Sequence, residues 1–213
     1  AEVEKLLADY PAPDGVDLEV GGTVEDQGDA FGDLGTLLIL IVILVYIVMA
    51  TQFESLLFPF IIMFTIPFAF TGVFLALWMT STPLSLIALI GAIMLVGIVT
   101  KNGIVMVDYM NLLVERGSGV FDAVIAGGKS RLRPVLMTSF TTILGMLPLA
   151  IGTGAGSETW QPMGIAVIGG LTFSTILTLF IVPVLYSILV NRSQRKEREK
   201  LARLSAEHQA SKH

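Results

Sequence analysis

The chain contains no cysteine, which rules out disulfides and thiolate metal sites. Charge is scarce as well: 15% of the 213 residues are charged, against about 25% in an ordinary soluble domain. Histidine occurs only at His208 and His213, near the end of the chain. Ser157 of the GTGAGSE stretch therefore has no histidine within its own segment to form a nucleophile and base pair. AGGKS at 126–130 resembles a phosphate loop, but Ala123 stands where that motif needs its first glycine and no strand precedes it. An aspartyl protease of the bilayer needs two carboxylates that share a proton, and Asp108 is the one acid close to an apolar run. The sequence thus points to no cofactor, no metal site and no catalysis by this segment alone.

What is abundant is apolar surface. Hydrophobic residues make up 54% of the chain, and the mean hydropathy is +0.78. The few charges are pushed to the ends. Residues 1–35 carry one lysine against ten acids, and residues 192–213 carry seven cations against three acids. Between Thr36 and Asn191 five cations balance five anions. A pI near 5.0 therefore describes no single surface, and binding of nucleic acid through a basic face is not expected.

A hydrocarbon core of about 30 Å needs roughly 20 apolar residues in a helix. Five stretches approach that length, at about 36–51, 56–79, 84–107, 134–151 and 162–190. The expected fold is an all-α membrane protein of five transmembrane helices in a lipid bilayer. Pro59 and Pro67 should bend the second span. Cations are retained on the cytoplasmic side; the 110–133 connection holds four and the tail seven, while the opposite segments hold one. This places the N-terminus outside and the C-terminus inside, as an odd number of spans requires. Residues 1–35 read as a short helix, a turn and an alternating VDLEV strand, an α/β remnant of an extracytoplasmic domain whose remainder lies elsewhere. Residues 192–213 form a charged cytoplasmic tail, expected as frayed helix or disorder.

An ionisable group in hydrocarbon costs roughly 2.5–3.5 kcal/mol on insertion scales and marks a functional position by default. Lys101 is the strongest case, about 25 Å by helix rise from Leu84 at the start of its run. It either snorkels to the inner interface or faces the bundle, where it needs an anionic partner. Asp108, at i+7, lies on nearly the same face but about 10 Å further along. No acid of this chain lies within a span to serve as that partner. Arg131 and Thr138 share a stripe continued by Thr142 and Gly145. They could hydrogen-bond a carboxylate on a neighbouring helix, or be a flanking charge and a packing residue bonded to its own backbone. Gly170, Ser174 and Thr178, with Gly91 and Gly97, suit close helix approach.

Several long runs then carry a resemblance: QFESLLFPFIIMFTIPFAFTG, LIGAIMLVGIVTKNGIVMVDY, SRLRPVLMTSFTTILGMLPLAIGTGAGSETWQPMGIAVIGGL and LTLFIVPVLYSIL. Across roughly residues 15–191 the chain resembles the C-terminal membrane half of the resistance-nodulation-division (RND) permeases, nearest their hydrophobe and amphiphile branch. The resemblance implies spans eight to twelve of a twelve-span bundle that exports amphiphilic compounds by proton antiport. It implies a homotrimer in the inner membrane, joined to a periplasmic adaptor and an outer-membrane channel. The family's proton relay would fall on Lys101, Arg131 and Thr138, with Asn102 and Asp108 in support. The paired aspartates of that relay would come from an N-terminal half not contained in these residues. Copper or silver export is disfavoured despite nine methionines, because metal-exporting relatives carry different sequence around the lysine. The alternative is a transport-incompetent membrane module that works only beside a partner half.

Overall fold

The computed structural model describes residues 23–210 apart from 153 and 155, with side chains described from 26 to 192. Of the expected α/β remnant at residues 1–35, residues 1–22 lie outside this range, and residues 23–35 are helical and continuous with the first span. Among the described residues all regular structure is helical: α1 Thr23–Phe53, α2 Leu57–Met63, α3 Thr65–Met79, α4 Leu86–Glu115, α5 Val120–Ile151 and α6 Ser157–Ala210. Five segments are long and apolar enough to cross a membrane, α2 and α3 together forming the second. The five-span expectation holds, and its boundaries shift.

Every shift has one cause. Hydropathy reports which residues meet lipid, whereas a helix ends only where its backbone hydrogen bonds end. α1 starts at Thr23 rather than Thr36, and its acidic first turns (Asp26, Asp29) suit the positive end of the helix dipole. α4 runs through Asp108 to Glu115. α5 begins at Val120, so Lys129, Arg131 and Arg133 are helical residues and not loop charges. The helix passes through Pro134 and Pro148 and closes at Gly152, whose φ of 70° is left-handed. α6 continues unbroken to Ala210, well into the expected tail.

The second span is interrupted at Phe64. Pro67 has no N–H to donate back along the helix, and the helix breaks at Phe64. Thr65 Oγ1 donates to the Ile62 carbonyl at 2.6 Å in a buried setting, occupying an acceptor near the break. At the start of α4, Ser85 Oγ accepts from the Ala88 N–H at 3.2 Å, a capping bond.

α6 is the central element, packed against α3, α4 and α5. A Cβ at Gly72 of α3 would sit 2.6 Å from Phe173 Cβ and 2.8 Å from the Gly169 carbonyl oxygen, so only glycine permits this approach to α6. Gly170 likewise has no room for a Cβ beside Leu95 and Val73. Gly97 departs from its expected packing role, because nothing lies within 4 Å of its would-be Cβ.

Burial is uneven. In their most apolar stretches α4 is 56% buried but α1 only 6% and α5 only 11%, so the last two turn most of their surface to lipid or to other protein. Two apolar clusters form the core. One gathers Met49, Ile61, Ile62, Met106, Val107, Met110, Val182 and Tyr186. The other gathers Ala69, Val73, Leu77, Ala88, Leu95, Val99, Ala166 and Leu171. On α4 and α6, and across the α2–α3 break, the buried polar residues fall between the two: Thr100 and Asn102, then Ser174, Thr175 and Thr178, then Thr65. α5 adds Ser139. The core is apolar at both ends and polar at its waist.

Candidate functional site

Lys101 lies at the waist. Because α4 extends from Leu86 to Glu115, the lysine sits about 22 Å by helix rise from one end and about 21 Å from the other. It is near the midpoint of the helix.

The lysine is exposed on the protein surface and opens into a groove of roughly 370 Å³ between α4 and α5. The groove brings together Lys101, Asn102, Thr138, Ser139 and Thr142, with Gly97 leaving its floor open. Thr138 Oγ1 donates to the Val135 carbonyl at 3.0 Å, and Thr142 Oγ1 to the Thr138 carbonyl at 2.9 Å. Their protons are committed to their own helix, and their lone pairs remain to accept from a donor in the groove. No carboxylate lines it.

Asn102 lines the same groove but is itself buried, 8% exposed. Its Nδ2 donates to Ser139 Oγ at 3.5 Å, and Ser139 Oγ shares a 2.9 Å hydrogen bond with Thr175 Oγ1. Side chains of α4, α5 and α6 are thereby joined at one level. Sequence reasoning singled out Asn102 but missed Ser139 and Thr175, each standing one residue beyond the stripe position it selected.

Arg131 and Asp108 stand apart from the groove. Arg131 is two turns before Thr138 on α5, about 10 Å along the axis. Its guanidinium carbon lies 4.4 Å from the centroid of the Tyr109 ring, a cation–π contact. Its Nε is buried with no hydrogen-bond partner among the described residues, as is Thr178 Oγ1. Asp108 is exposed and lines a separate recess with Glu54, Asn111 and Glu115. Beside that recess Tyr186 OH donates to Asn111 Oδ1 at 2.6 Å and its ring stacks on Phe58 at 5.9 Å. No group of histidine, aspartate or glutamate able to hold a metal ion occurs among the described residues.

Residues 1–190 match the AcrB/AcrD/AcrF family. The chain belongs to that family. It is thus a segment of an RND-type permease, with five helical segments long and apolar enough to cross a membrane. Relatives of this AcrB/AcrD/AcrF member include the swarming motility protein SwrC of Bacillus subtilis, 38% identical over 92% of this chain and 19% of the relative. The cobalt-zinc-cadmium resistance protein CzcA of Cupriavidus metallidurans is 38% identical over 87% of this chain and 17% of the relative. The multidrug resistance protein MdtC of Erwinia tasmaniensis is 38% identical over 93% and 19%. A crystal structure of a heavy metal efflux pump superposes with a TM-score of 0.75 at 30% identity, covering 89% of this chain and 19% of that one. The chain spans about a fifth of the length of the proteins it matches.

Proposed function

We propose that this chain supplies spans eight to twelve of a proton-driven efflux permease, and that Lys101 is its ion-coupling centre. The observation that carries the reading is a lysine at mid-depth of a 30-residue helix, opening on a hydroxyl-lined groove that holds no carboxylate. An ammonium in that setting requires an anion from outside the described residues. The N-terminal half would provide it as the relay's aspartates. Protonation of those acids weakens their hold on Lys101 and lets α4 repack against its neighbours. Each proton moving inward yields about 2.3 kcal/mol per 100 mV. Thr138 would accept a hydrogen bond during that exchange. Arg131, held on Tyr109, would act at the inner end of the path, with Asp108 near its mouth.

On this reading the N-terminus is periplasmic, the C-terminus cytoplasmic, and the permease a homotrimer that meets a periplasmic adaptor and an outer-membrane channel. The exported compounds are amphiphilic. A second reading, export of metal cations, is favoured by the likeness to CzcA and to the heavy metal efflux pump. Uptake into inverted vesicles separates the two: an amphiphilic cationic dye is expected to accumulate on energisation, whereas accumulation of zinc or cobalt instead would establish the second.

Lys101→Ala in the full-length permease is expected to lower export at least 100-fold, with abundance and trimerisation retained. Wild-type export by that variant would remove Lys101 from the mechanism.

A further inference from the structure

We propose that Ser139 and Thr175 are positioning residues that hold Asn102, and through it the rotational setting of α4 that turns Lys101 into the groove. This rests on the ion-coupling reading of Lys101. Three observations carry it.

The first is geometric. Lys101 and Asn102 are consecutive, so they leave α4 about 100° apart. Lys101 is exposed in the groove, whereas Asn102, which lines the same groove, is buried and bonded to α5. Fixing the direction of Asn102 therefore fixes the direction of Lys101.

The second is a departure from habit. A serine or threonine inside a helix ordinarily bonds a carbonyl of its own preceding turn. Thr100, Thr138, Thr141, Thr142, Thr172 and Ser174 all do so. Ser139 and Thr175 instead bond each other across the α5–α6 interface at 2.9 Å, and Ser139 reaches Asn102. They are 3% and 5% exposed, and within a bilayer no water stands ready to replace a lost partner.

The third is the inequality of the two links. Ser139 to Thr175 is 2.9 Å, whereas Asn102 to Ser139 is 3.5 Å, at the outer limit of hydrogen bonding. When α4 repacks, the Asn102 link parts first and the Ser139–Thr175 link persists. α5 and α6 then move as one body past which α4 turns.

The test uses the full-length permease in proteoliposomes, with export rate measured against substrate concentration and against pH. Removing a hydrogen bond of this kind is expected to lower the maximal rate about tenfold. Ser139→Ala and Thr175→Val should each do so with KM unchanged and a displaced pH profile, while Thr175→Ser, which keeps the hydroxyl, stays near wild type. Wild-type rates and pH profiles for Ser139→Ala and Thr175→Val would overturn the proposal. So would a Thr175→Ser variant as impaired as Thr175→Val, since the shape of the side chain would then matter and not its hydroxyl. If Ser139→Ala does not accumulate, the Thr175 pair decides alone. Lys101→Ala is run alongside: if it still exports, the ion-coupling reading has failed, whereas its loss beside wild-type Ser139→Ala and Thr175→Val refutes only the positioning role.

Discussion

Toward one end α6 buries Ile165, Ala166 and Leu171, and toward the other Val182, Tyr186 and Val190; between them it buries Ser174, Thr175 and Thr178. α4 repeats the pattern, with Leu95 and Val99 on one side, Met106 and Val107 on the other, and Thr100 and Asn102 between. The difference is instructive because lipid gives no hydrophobic reward for bringing apolar helices together. The two ends must hold by close packing: at one, Gly72 and Gly170 leave no room for a methyl group, and at the other Gly103 meets Ile62 and Gly127 meets Met110 just as closely. The waist instead buries polar groups, of which those of Asn102, Ser139 and Thr175 hydrogen-bond one another. The ends are held by apolar contacts, and the waist by side-chain hydrogen bonds.

That division can be broken by experiment. The largest effect is expected at Gly170, where any side chain meets Leu95, Val73 and the Ala69 carbonyl. Gly170→Leu should prevent stable assembly of the bundle, seen as loss of the monodisperse species in detergent. A folded, heat-stable variant would mean that the glycine seam is not what joins α3 and α4 to α6. Next comes Leu95→Ala. Leu95 is 1% exposed in the apolar cluster, and its truncation should cost roughly 2–5 kcal/mol, read as a fall in the unfolding midpoint. The smallest effect is expected at the waist itself. Thr100 Oγ1 bonds only carbonyls of its own helix, Val96 at 2.8 Å and Gly97 at 3.1 Å. Thr100→Val keeps its shape and should change stability by less than about 1 kcal/mol. A loss as large as that of Leu95→Ala would erase the distinction between waist and ends.

How much of this was legible in the residues follows from what each signal measures. The number of spans was readable because apolar length is a direct demand of the bilayer. The helix ends were not, because Asp108–Glu115 and Val120–Arg133 are too polar to register as membrane yet carry an uninterrupted helical backbone. Lys101 stood out by its cost in hydrocarbon, and Thr138 does line its groove. Arg131 shares Thr138's stripe, but two turns of rise carry it to Tyr109 instead. Ser139 and Thr175 had no distinguishing mark. Their role depends on which helices stand opposite, and that information lies in packing between segments far apart in the chain.

The interruption at Phe64 has a mechanical meaning. Beyond it, α3 is clasped to α6 at Gly72; before it, Ile61 and Ile62 of α2 belong with Met49 and Met106. Proline has thus cut one membrane crossing into two short rods, each bolted to a different part of the bundle, with their joint at the depth of Thr65. A shift of one rod is resisted by a different set of neighbours from a shift of the other, so the two halves of this crossing are anchored separately.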